Sequence, residues 1–272
     1  MHYDSKIPLL SVIMGAHNIG KIHEFDRIMQ SVLTQTMNNF EFVICDDGST
    51  DETWECLQEY AAQDSRIKLL RNKTNIGLAA TLNYCIENCK GRFIARQDAD
   101  DFSTTYRFER QIEYLDKHKD ISFVGSNVTL WDEHGEWGRR TFPEFPCKED
   151  FLFTMPFVHG ALMFRRECID AVKGYRIAKE TRRAEDYDML MRMYAVGLKG
   201  ANIQQILYRF CENEAAQQRR KYCYRIDEVI VRWKRFADLN LLPQGIIYVI
   251  KPLIVGLIPS VILKYLKKLR EF

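Results

Sequence analysis

The sequence lacks several features that would assign its class directly. Its eight cysteines form no CxxC pair and no Cys/His spacing of the zinc-site kind. A net charge of only +2 argues against nucleic acid as a partner, because phosphate backbones select a strongly basic face. Asp4, Lys6 and Pro8 interrupt any apolar run near the N-terminus, so we expect no signal peptide. Without an export signal, we expect reduced thiols and a cytoplasmic protein.

The composition is otherwise that of a folded domain with an appendage. Apolar residues make up 46% and charged residues 28% of the 272 positions. The charge is unevenly distributed, because residues 214–272 carry 12 Lys and Arg against 5 Asp and Glu. We therefore treat this basic C-terminal region separately from the more acidic body.

Short apolar runs alternate with amphipathic stretches over the first 130 residues. Strands are predicted at residues 9–16, 40–45, 67–70 and 93–95, and helices at residues 24–35, 51–62 and 78–89. This alternation predicts βαβ units and a buried parallel sheet. Ligands of such sheets bind beyond the carboxyl ends of the strands, so the residues after each strand are candidates for a site.

The pattern is less regular farther along the chain. We predict a helix at 104–117, a strand at 121–130, a loop at 131–146, a strand at 157–164 and a helix at 184–196. After Arg209 the sequence is predicted to be helical and basic to its end.

The first candidate motif, DDGSTD at residues 46–51, follows the second predicted strand. Gly48 permits a sharp turn, and Ser49, Thr50 or Asp51 can cap the following helix. The motif therefore fits a capped helix start as well as a strand-end carboxylate that binds a base or ribose.

The second motif, QDADD at residues 97–101, places three carboxylates within four positions. Asp98 and Asp100 share one face of an extended strand end, which suits Mg²⁺ or Mn²⁺ completed by substrate phosphates and water. An EF-hand does not fit, because Phe102 takes a ligand position and Ser103 the position of the required glycine. A solvated acidic loop remains the alternative.

The third motif is Glu185-Asp186 at the start of a predicted helix. Acidic residues in a first turn commonly stabilise the helix dipole. The alternative is a general base that reaches an acceptor hydroxyl.

Six segments occur in the order found in family 2 glycosyltransferases with the GT-A fold, which the sequence resembles over about residues 9–210. They are SVIMGAHN (11–18), DDGSTD (46–51), NIGL (75–78), ARQDADD (95–101), HGALMFRR (159–166) and AEDYD (184–188). The resemblance is to bacterial enzymes that build capsule, exopolysaccharide and O-antigen units. It implies an α/β, Rossmann-like GT-A fold with a mostly parallel sheet flanked by helices. It also implies inverting, metal-dependent sugar transfer from a nucleotide-diphosphate donor to an acceptor hydroxyl.

The resemblance also implies roles for individual residues. Asp186 matches the catalytic base, with Glu185 beside it, and Asp100 with Asp98 matches the ligands of Mn²⁺ or Mg²⁺. The implied nucleotide-binding residues are Ala16, His17, Asn18, Asp47, Gly77, Arg96 and Asp98. His159 and Arg165 are expected to border the acceptor or the diphosphate, although His159 fits a structural histidine equally.

Two departures from the family pattern qualify these expectations. Residues 15–17 replace the usual proline, β-branched residue and tyrosine, which leaves open how this loop meets the base. No QxxRW motif is present, because Lys221 stands where the tryptophan would be. We therefore expect one sugar to be transferred per encounter rather than processive synthesis.

We predict a GT-A domain at residues 1–212 and a helical, membrane-associating region at 213–272. The apolar stretch 241–263 contains Lys251 and three prolines, and its uninterrupted part would extend only about 18 Å as a helix. A bilayer core measures about 30 Å, so we expect helices in the interface, with a spanning helix or a buried helix as alternatives. The expected partners are a UDP-sugar, a polyprenyl-diphosphate-linked or other saccharide acceptor, and the inner face of the cell membrane.

Two other functions remain open from the sequence. A sugar-nucleotide-forming nucleotidyltransferase would use a similar metal site, but it should carry a Gly-rich phosphate loop near the N-terminus. A non-catalytic sugar-nucleotide-binding protein would not need Asp98, Asp100 and Asp186 together.

Overall fold

The computed structural model describes residues 7–20, 24–213 and 222–258. The strands are β1 (Leu10–Ala16), β2 (Phe40–Asp46), β3 (Ile67–Arg71), β4 (Phe93–Arg96), β5 (Phe102–Ser103), β6 (Phe123–Asp132), β7 (Gly135–Arg140), β8 (Met163–Arg165) and β9 (Gly200–Cys211). Within the described ranges they form one sheet in the order β3-β2-β1-β4-β8-β6-β9-β5, with β7 beside β6.

Helices cover both faces of this sheet. They are α1 (Phe25–Leu33), α2 (Thr53–Gln63), α3 (Leu78–Asn88), α4 (Arg107–Lys117), α5 (Asp150–Phe153), α6 (Arg166–Ala171), α7 (Glu185–Ala195), α8 (Cys223–Asp238) and α9 (Ile246–Gly256). Short 3-10 helices lie at His159–Ala161 and Lys179–Thr181.

The first four strands are parallel, as the sequence predicts. Alternate residues of β2 enter two different apolar clusters, with Val43 and Cys45 on one face of the sheet and Phe42 and Ile44 on the other. A sheet buried on both faces explains why its strands read as continuous apolar runs. The pairing of Ala16 with Asp46 aligns the carboxyl ends of β1 and β2. This alignment brings the motifs after these strands to one edge.

The second half of the sheet is mixed, and here two expectations were wrong and one strand was not predicted. Residues 131–146 were expected to be a loop but contain β7, which pairs antiparallel with β6. The expected strand at 157–164 is a 3-10 helix followed by the shorter β8. The sequence did not predict β9, which pairs in parallel with β6 around a register shift near Ser126 and Asn127. Tertiary pairing gives these polar or irregular segments their strand conformation.

The helices α8 and α9 form an antiparallel hairpin that packs on the body. The Arg232 side chain donates a hydrogen bond to the Tyr248 carbonyl at 3.2 Å. Val231, Phe236 and Val249 belong to the same apolar cluster as sheet residues such as Val43. The division at residue 212 remains a prediction, but the regions on either side share a core. Among residues 7–20, 24–213 and 222–258, no helix is long and apolar enough to cross a membrane. Residues 259–263 of the apolar stretch lie outside these ranges.

Candidate active site

A cavity of about 660 Å³ lies beyond the carboxyl ends of β1 and β4. Its walls come from seven segments that lie far apart in the sequence. They are the end of β1 and its loop (His17, Asn18), the start of α3 (Leu78), the loop after β4 (Asp98, Asp100), the residues after α5 (Thr154, Met155), the segment leading into α7 (Arg183, Asp186), the end of β9 (Phe210, Cys211) and α8 (Tyr224, Arg225, Glu228, Arg232). This is the place at which ligands collect in open α/β sheets.

Asn18 fixes the loop after β1 against the loop after β2. Its backbone N–H donates to Ser49 Oγ at 3.0 Å, and its Oδ1 accepts the Thr50 N–H at 3.0 Å. Its φ of 53° lies in the left-handed region, which Asn tolerates better than most residues. His17 and Asn18 line the cavity, whereas Ala16 is buried at the strand end and accepts the Asp47 N–H at 2.8 Å. Two of these three predicted nucleotide-site residues therefore face the cavity.

Asp47 orders the loop that leads into α3. Its carboxylate accepts hydrogen bonds from Asn72 Nδ2 at 2.9 Å, the Ile76 N–H at 2.9 Å and the Gly77 N–H at 3.0 Å. Gly77 has a φ of 91°, which favours glycine at this helix start. Asp47 and Gly77 contact each other but are not among the residues that line the cavity. Their contact with a nucleotide stays a prediction.

The acidic residues after β4 are held in different ways. Buried Arg96 places its guanidinium 2.5 Å from Asp98 Oδ1, and the Asp98 N–H donates to Tyr208 Oη at 3.1 Å. Asp98 and Asp100 line the cavity. Asp101 is instead fully buried and accepts the Cys211 N–H at 2.6 Å, and its burial raises its pKa well above the usual range. The motif thus supplies two cavity carboxylates and one anchor for β9.

Gly160, in the HGALMFRR segment, lies too close to Asp98 and Tyr208 to carry a side chain. A Cβ at this position would stand 2.6 Å from Asp98 Oδ2 and closer still to Tyr208 Oη. A side chain here would displace Asp98, so a glycine is required for the close approach.

Asp98 and Asp100 fit a metal site that the substrate completes. In the described part of the chain, no group of three or more His, Cys, Asp and Glu side chains gathers as a preformed metal site. Mg²⁺ and Mn²⁺ need only one or two carboxylates when phosphates and water fill the remaining positions. The two cavity carboxylates meet this requirement.

Asp186 and Glu185 face different environments at the start of α7. Asp186 lines the cavity, and burial together with the charge of Asp98 raises its pKa to about 6. Its Oδ1 accepts the Tyr187 N–H at 2.7 Å, which orients the carboxylate. Glu185 is only 8% exposed, and burial together with Asp186 raises its pKa to about 8. A carboxylate with a pKa near 6 is suited to accept a proton close to neutral pH.

His159 has the contacts of a structural histidine. Its Nε2 lies 2.7 Å from Tyr175 Oη, and burial together with nearby Arg96 lowers its pKa to about 3. The ring is therefore neutral at ordinary pH. It does not line the cavity.

Arg165 makes its contacts with the backbone near the end of α4. Its guanidinium donates to the carbonyls of Ile121 at 2.9 Å and His118 at 3.3 Å, and also to the Leu115 carbonyl. These carbonyls lie at and just beyond the C-terminal end of α4, where helix carbonyls need donors. Arg165 is thus hydrogen-bonded to the protein backbone and is not among the residues that line the cavity, and its contact with an acceptor or diphosphate stays a prediction.

The cavity residues of α8 were not predicted. Tyr224, Glu228 and Arg232 recur every four residues and so share one helix face, which meets the cavity. The spacing was visible in the sequence, but nothing local indicated that the basic region folds back onto the site. Arg183 was also missed, although it stands three residues before Asp186.

Known proteins resemble this chain over most of its length. A family model described as "Glycosyl transferase family 2" matches residues 11–175. "Putative glycosyltransferase EpsE" of Bacillus subtilis is 40% identical over 263 residues, or 96% of this chain and 94% of the relative. The Escherichia coli protein named "UDP-Gal:alpha-D-GlcNAc-diphosphoundecaprenol beta-1,3-galactosyltransferase" is 27% identical over 96% of each chain.

Solved structures share the fold. S. aureus TarS 1–349 in complex with UDP-GlcNAc aligns with a TM-score of 0.68 and 16% identity, over 89% of this chain and 72% of that chain. The mannosyltransferase PcManGT from Pyrobaculum calidifontis, in complex with GDP-Man and Mn²⁺, aligns with a TM-score of 0.63 and 15% identity, over 92% and 69%. The family model covers more than half of the chain, and the sheet has the same architecture as these structures. This chain belongs to glycosyl transferase family 2 and is a glycosyltransferase with the GT-A fold.

Proposed function

We propose that this glycosyltransferase moves a sugar from a UDP-sugar to a hydroxyl of a lipid-diphosphate-linked saccharide, with inversion at the anomeric carbon. The observation that carries this proposal is that Asp98, Asp100 and Asp186 line one cavity at the carboxyl edge of the sheet. The relatives support its finer points. TarS has been solved with UDP-GlcNAc, and the E. coli relative is named for UDP-Gal and a diphosphoundecaprenol-linked acceptor.

The proposed reaction is a single displacement. Asp186 takes the proton of the acceptor hydroxyl as its oxygen bonds to the anomeric carbon. The bond between that carbon and the diphosphate oxygen breaks, and the nucleoside diphosphate leaves with the electron pair. Attack from the face opposite the leaving group inverts the anomeric configuration. The raised pKa of Asp186, about 6, makes it a stronger base than an exposed carboxylate while leaving it ionised at pH 7.

The carboxylates of Asp100 and Asp98 would hold Mn²⁺ or Mg²⁺ on the donor side. When bound, such an ion offsets the negative charge that develops on the leaving diphosphate. Arg96 fixes the Asp98 carboxylate from a fully buried position. Mn²⁺ in the related PcManGT structure supports this part of the proposal.

The hairpin of α8 and α9 supports peripheral binding at the cytoplasmic face of a membrane. Four exposed apolar residues form one stripe along α8 and the residue before it, namely Tyr222, Ile226, Ile230 and Trp233. Five more are exposed on one face of α9 and the residue after it: Ile246, Ile247, Ile250, Ile254 and Leu257. Exposed apolar side chains clustered on one helix face, unlike ones scattered singly, mark interaction sites. The adjoining sequence 259–272 adds Lys264, Lys267, Lys268 and Arg270, which would attract anionic lipid.

Product analysis tests the proposed reaction. The unaltered protein would be incubated with UDP-sugars and Mn²⁺, with and without a short-chain alkyl diphosphate of N-acetylglucosamine. We expect UDP release that depends on the acceptor, and a new glycoside of inverted configuration by NMR. In a separate mixture of UTP and a sugar 1-phosphate, formation of a UDP-sugar with release of pyrophosphate would instead identify a nucleotidyltransferase. Binding of UDP-sugar without release of UDP in either mixture would identify a non-catalytic binding protein.

A further inference from the structure

Charges around the cavity are divided between two walls. The loop after β4 contributes the acidic side chains of Asp98 and Asp100. The wall formed by α8 and the segment leading into α7 contributes Arg183, Arg225 and Arg232 against two acidic residues, Glu228 and the proposed base Asp186. One wall therefore suits a metal-bound donor, whereas the other carries excess positive charge.

Arg183 is the most available cation of the basic wall. It is exposed, and its guanidinium lies 5.8 Å from the centre of the Tyr224 ring. Among the described residues it makes no hydrogen bond or ion pair. Its neighbour Arg182 is different, because it pairs with Asp227 at 3.7 Å and does not line the cavity.

Arg225 adds a second, partly neutralised cation. Its NH1 lies 3.3 Å from Glu228, but Glu228 also pairs with Arg232 at 3.0 Å. One carboxylate thus serves two guanidinium groups, and the wall keeps a net positive charge together with Arg183. Arg232 is only 4% exposed and donates to the carbonyls of Leu152 and Tyr248, so its role is structural.

The proposed role of Asp186 assigns the basic wall to the acceptor side of the site. Arg183 precedes Asp186 by three residues, and both line the cavity. If Asp186 takes the proton of the acceptor hydroxyl, an anion held by Arg183 belongs to the acceptor, close to that hydroxyl. One guanidinium group can donate two parallel hydrogen bonds to the oxygens of a phosphate, and these charge-assisted bonds are strong.

The helix α8 also connects this wall with the apolar surface of the hairpin. Tyr224 and Glu228 face the cavity, whereas Ile226, Ile230 and Trp233 lie on the exposed apolar stripe of the same helix. An acceptor with a diphosphate between a sugar and a lipid would match the order of these surfaces. Its sugar would lie at Asp186, its diphosphate at the arginines and its lipid along the outer stripe.

On the basis of the proposed function, we propose that Arg183 and Arg225 bind the acceptor diphosphate and thereby select an acceptor whose reacting sugar is joined directly to it. This places the enzyme early in chain assembly, since longer acceptors would carry the diphosphate away from Asp186. A sugar-1-phosphate transfer to a lipid phosphate must therefore supply its substrate.

Two soluble acceptors test this proposal. One is the short-chain alkyl diphosphate of N-acetylglucosamine, and the other is the matching alkyl glycoside without phosphate. We expect Arg183→Gln to raise the KM for the diphosphate acceptor about 10–100-fold, the usual worth of one or two charge-assisted hydrogen bonds. Arg225→Gln should have a smaller effect in the same direction. The KM for the UDP-sugar and the KM for the neutral glycoside should change little.

Arg182→Gln is the matched control, because this residue also approaches Tyr224, at 6.0 Å, but does not line the cavity. It should leave all three KM values unchanged, and Arg183→Lys should restore part of the affinity. Calorimetric binding of the diphosphate acceptor gives a readout that needs no turnover, so it separates this proposal from the proposed reaction. A rise in donor KM, an equal loss with both acceptors, or unchanged acceptor binding in Arg183→Gln would each overturn the assignment.

Discussion

The guanidinium of Arg96 lies 2.5 Å from Oδ1 of Asp98, with the arginine fully buried beneath the cavity. A buried guanidinium needs a carboxylate partner, so this ion pair fixes one oxygen of Asp98. Asp100 stands two residues farther along the same loop and lines the same cavity. The two aspartates therefore differ: Asp98 is held in place by Arg96, whereas Asp100 is the one that we propose as the principal metal ligand.

We expect Asp100→Asn to abolish transfer while the protein stays folded, because a neutral amide is a poor ligand for Mg²⁺ or Mn²⁺. Excess chelator should abolish transfer by the unaltered protein, and Mn²⁺ or Mg²⁺ should restore it. Transfer rates and thermal unfolding measured on the same samples check both points. Asp120→Asn, at a surface turn away from the cavity, is the control and should behave as the unaltered protein does. Full transfer in excess chelator would contradict a metal-dependent reaction.

We expect Asp186→Asn to lower kcat roughly 10²–10⁴-fold, the usual size of a general-base contribution. Donor affinity should change little, because the residue is proposed to face the acceptor. The unaltered enzyme should lose kcat/KM as the pH falls through about 6, since protonated Asp186 cannot accept the hydroxyl proton. A pH series with both proteins measures this, and the variant should lack the acidic limb. Normal kcat with a large loss of donor affinity would instead assign Asp186 to the nucleotide site.

The parallel half of the fold could be predicted because its signals are local. The strand β2 is predicted at 40–45 and observed at Phe40–Asp46, since burial on both faces leaves a continuous apolar run. The strand β7 could not be predicted in this way. Its sequence, GEWGRR, has little β propensity, and its conformation depends on pairing with β6.

In the site, too, the residues that belong to local motifs could be predicted, and those placed by tertiary packing could not. Asp98, Asp100 and Asp186 were identified from motifs and do line the cavity. Arg165 was assigned from the family resemblance, which does not reveal that its side chain turns toward the end of α4. The wall formed by α8 depends on how the C-terminal region packs, which no local pattern indicates.

We expect the buried carboxyl of Glu185 to lower the free energy of unfolding as the pH becomes alkaline. Its pKa is raised from 4.5 to about 8 in the folded protein, chiefly by burial. The unfolded chain therefore releases this proton first, and the free energy of unfolding falls as the pH rises from about 4.5 to 8. We expect Glu185→Gln to be more stable than the unaltered protein by about 1–3 kcal/mol at pH 8, with the difference vanishing near pH 4.5. Denaturant unfolding at both values measures this, and an equal difference at both would contradict a buried neutral carboxyl.

The exposed face of the hairpin should control membrane binding. Ile247 and Ile254 are 72% and 59% exposed on one face of α9, so their replacement leaves the core intact. Deleting residues 241–272 would be a poorer test, because Leu241 and Val249 are each 3% exposed within the core. We expect the unaltered protein to sediment with anionic liposomes, and Ile247→Glu with Ile254→Glu to remain largely in the supernatant. Buried apolar area and attraction to anionic lipid drive such binding, and the substitutions oppose both.

The matched control is Ile177→Glu with Val196→Glu, because these side chains are 66% and 60% exposed but lie just before and just after α7 rather than on the hairpin. This control adds the same two negative charges elsewhere on the surface and should leave sedimentation unchanged. The hairpin double variant should keep its turnover on a short-chain soluble acceptor but lose turnover on acceptor embedded in liposomes, since the substituted side chains do not line the cavity. If the unaltered protein stays in the supernatant at low salt, the hairpin does not bind membranes. If the control is released as readily as the hairpin double variant, net charge rather than the apolar face governs binding.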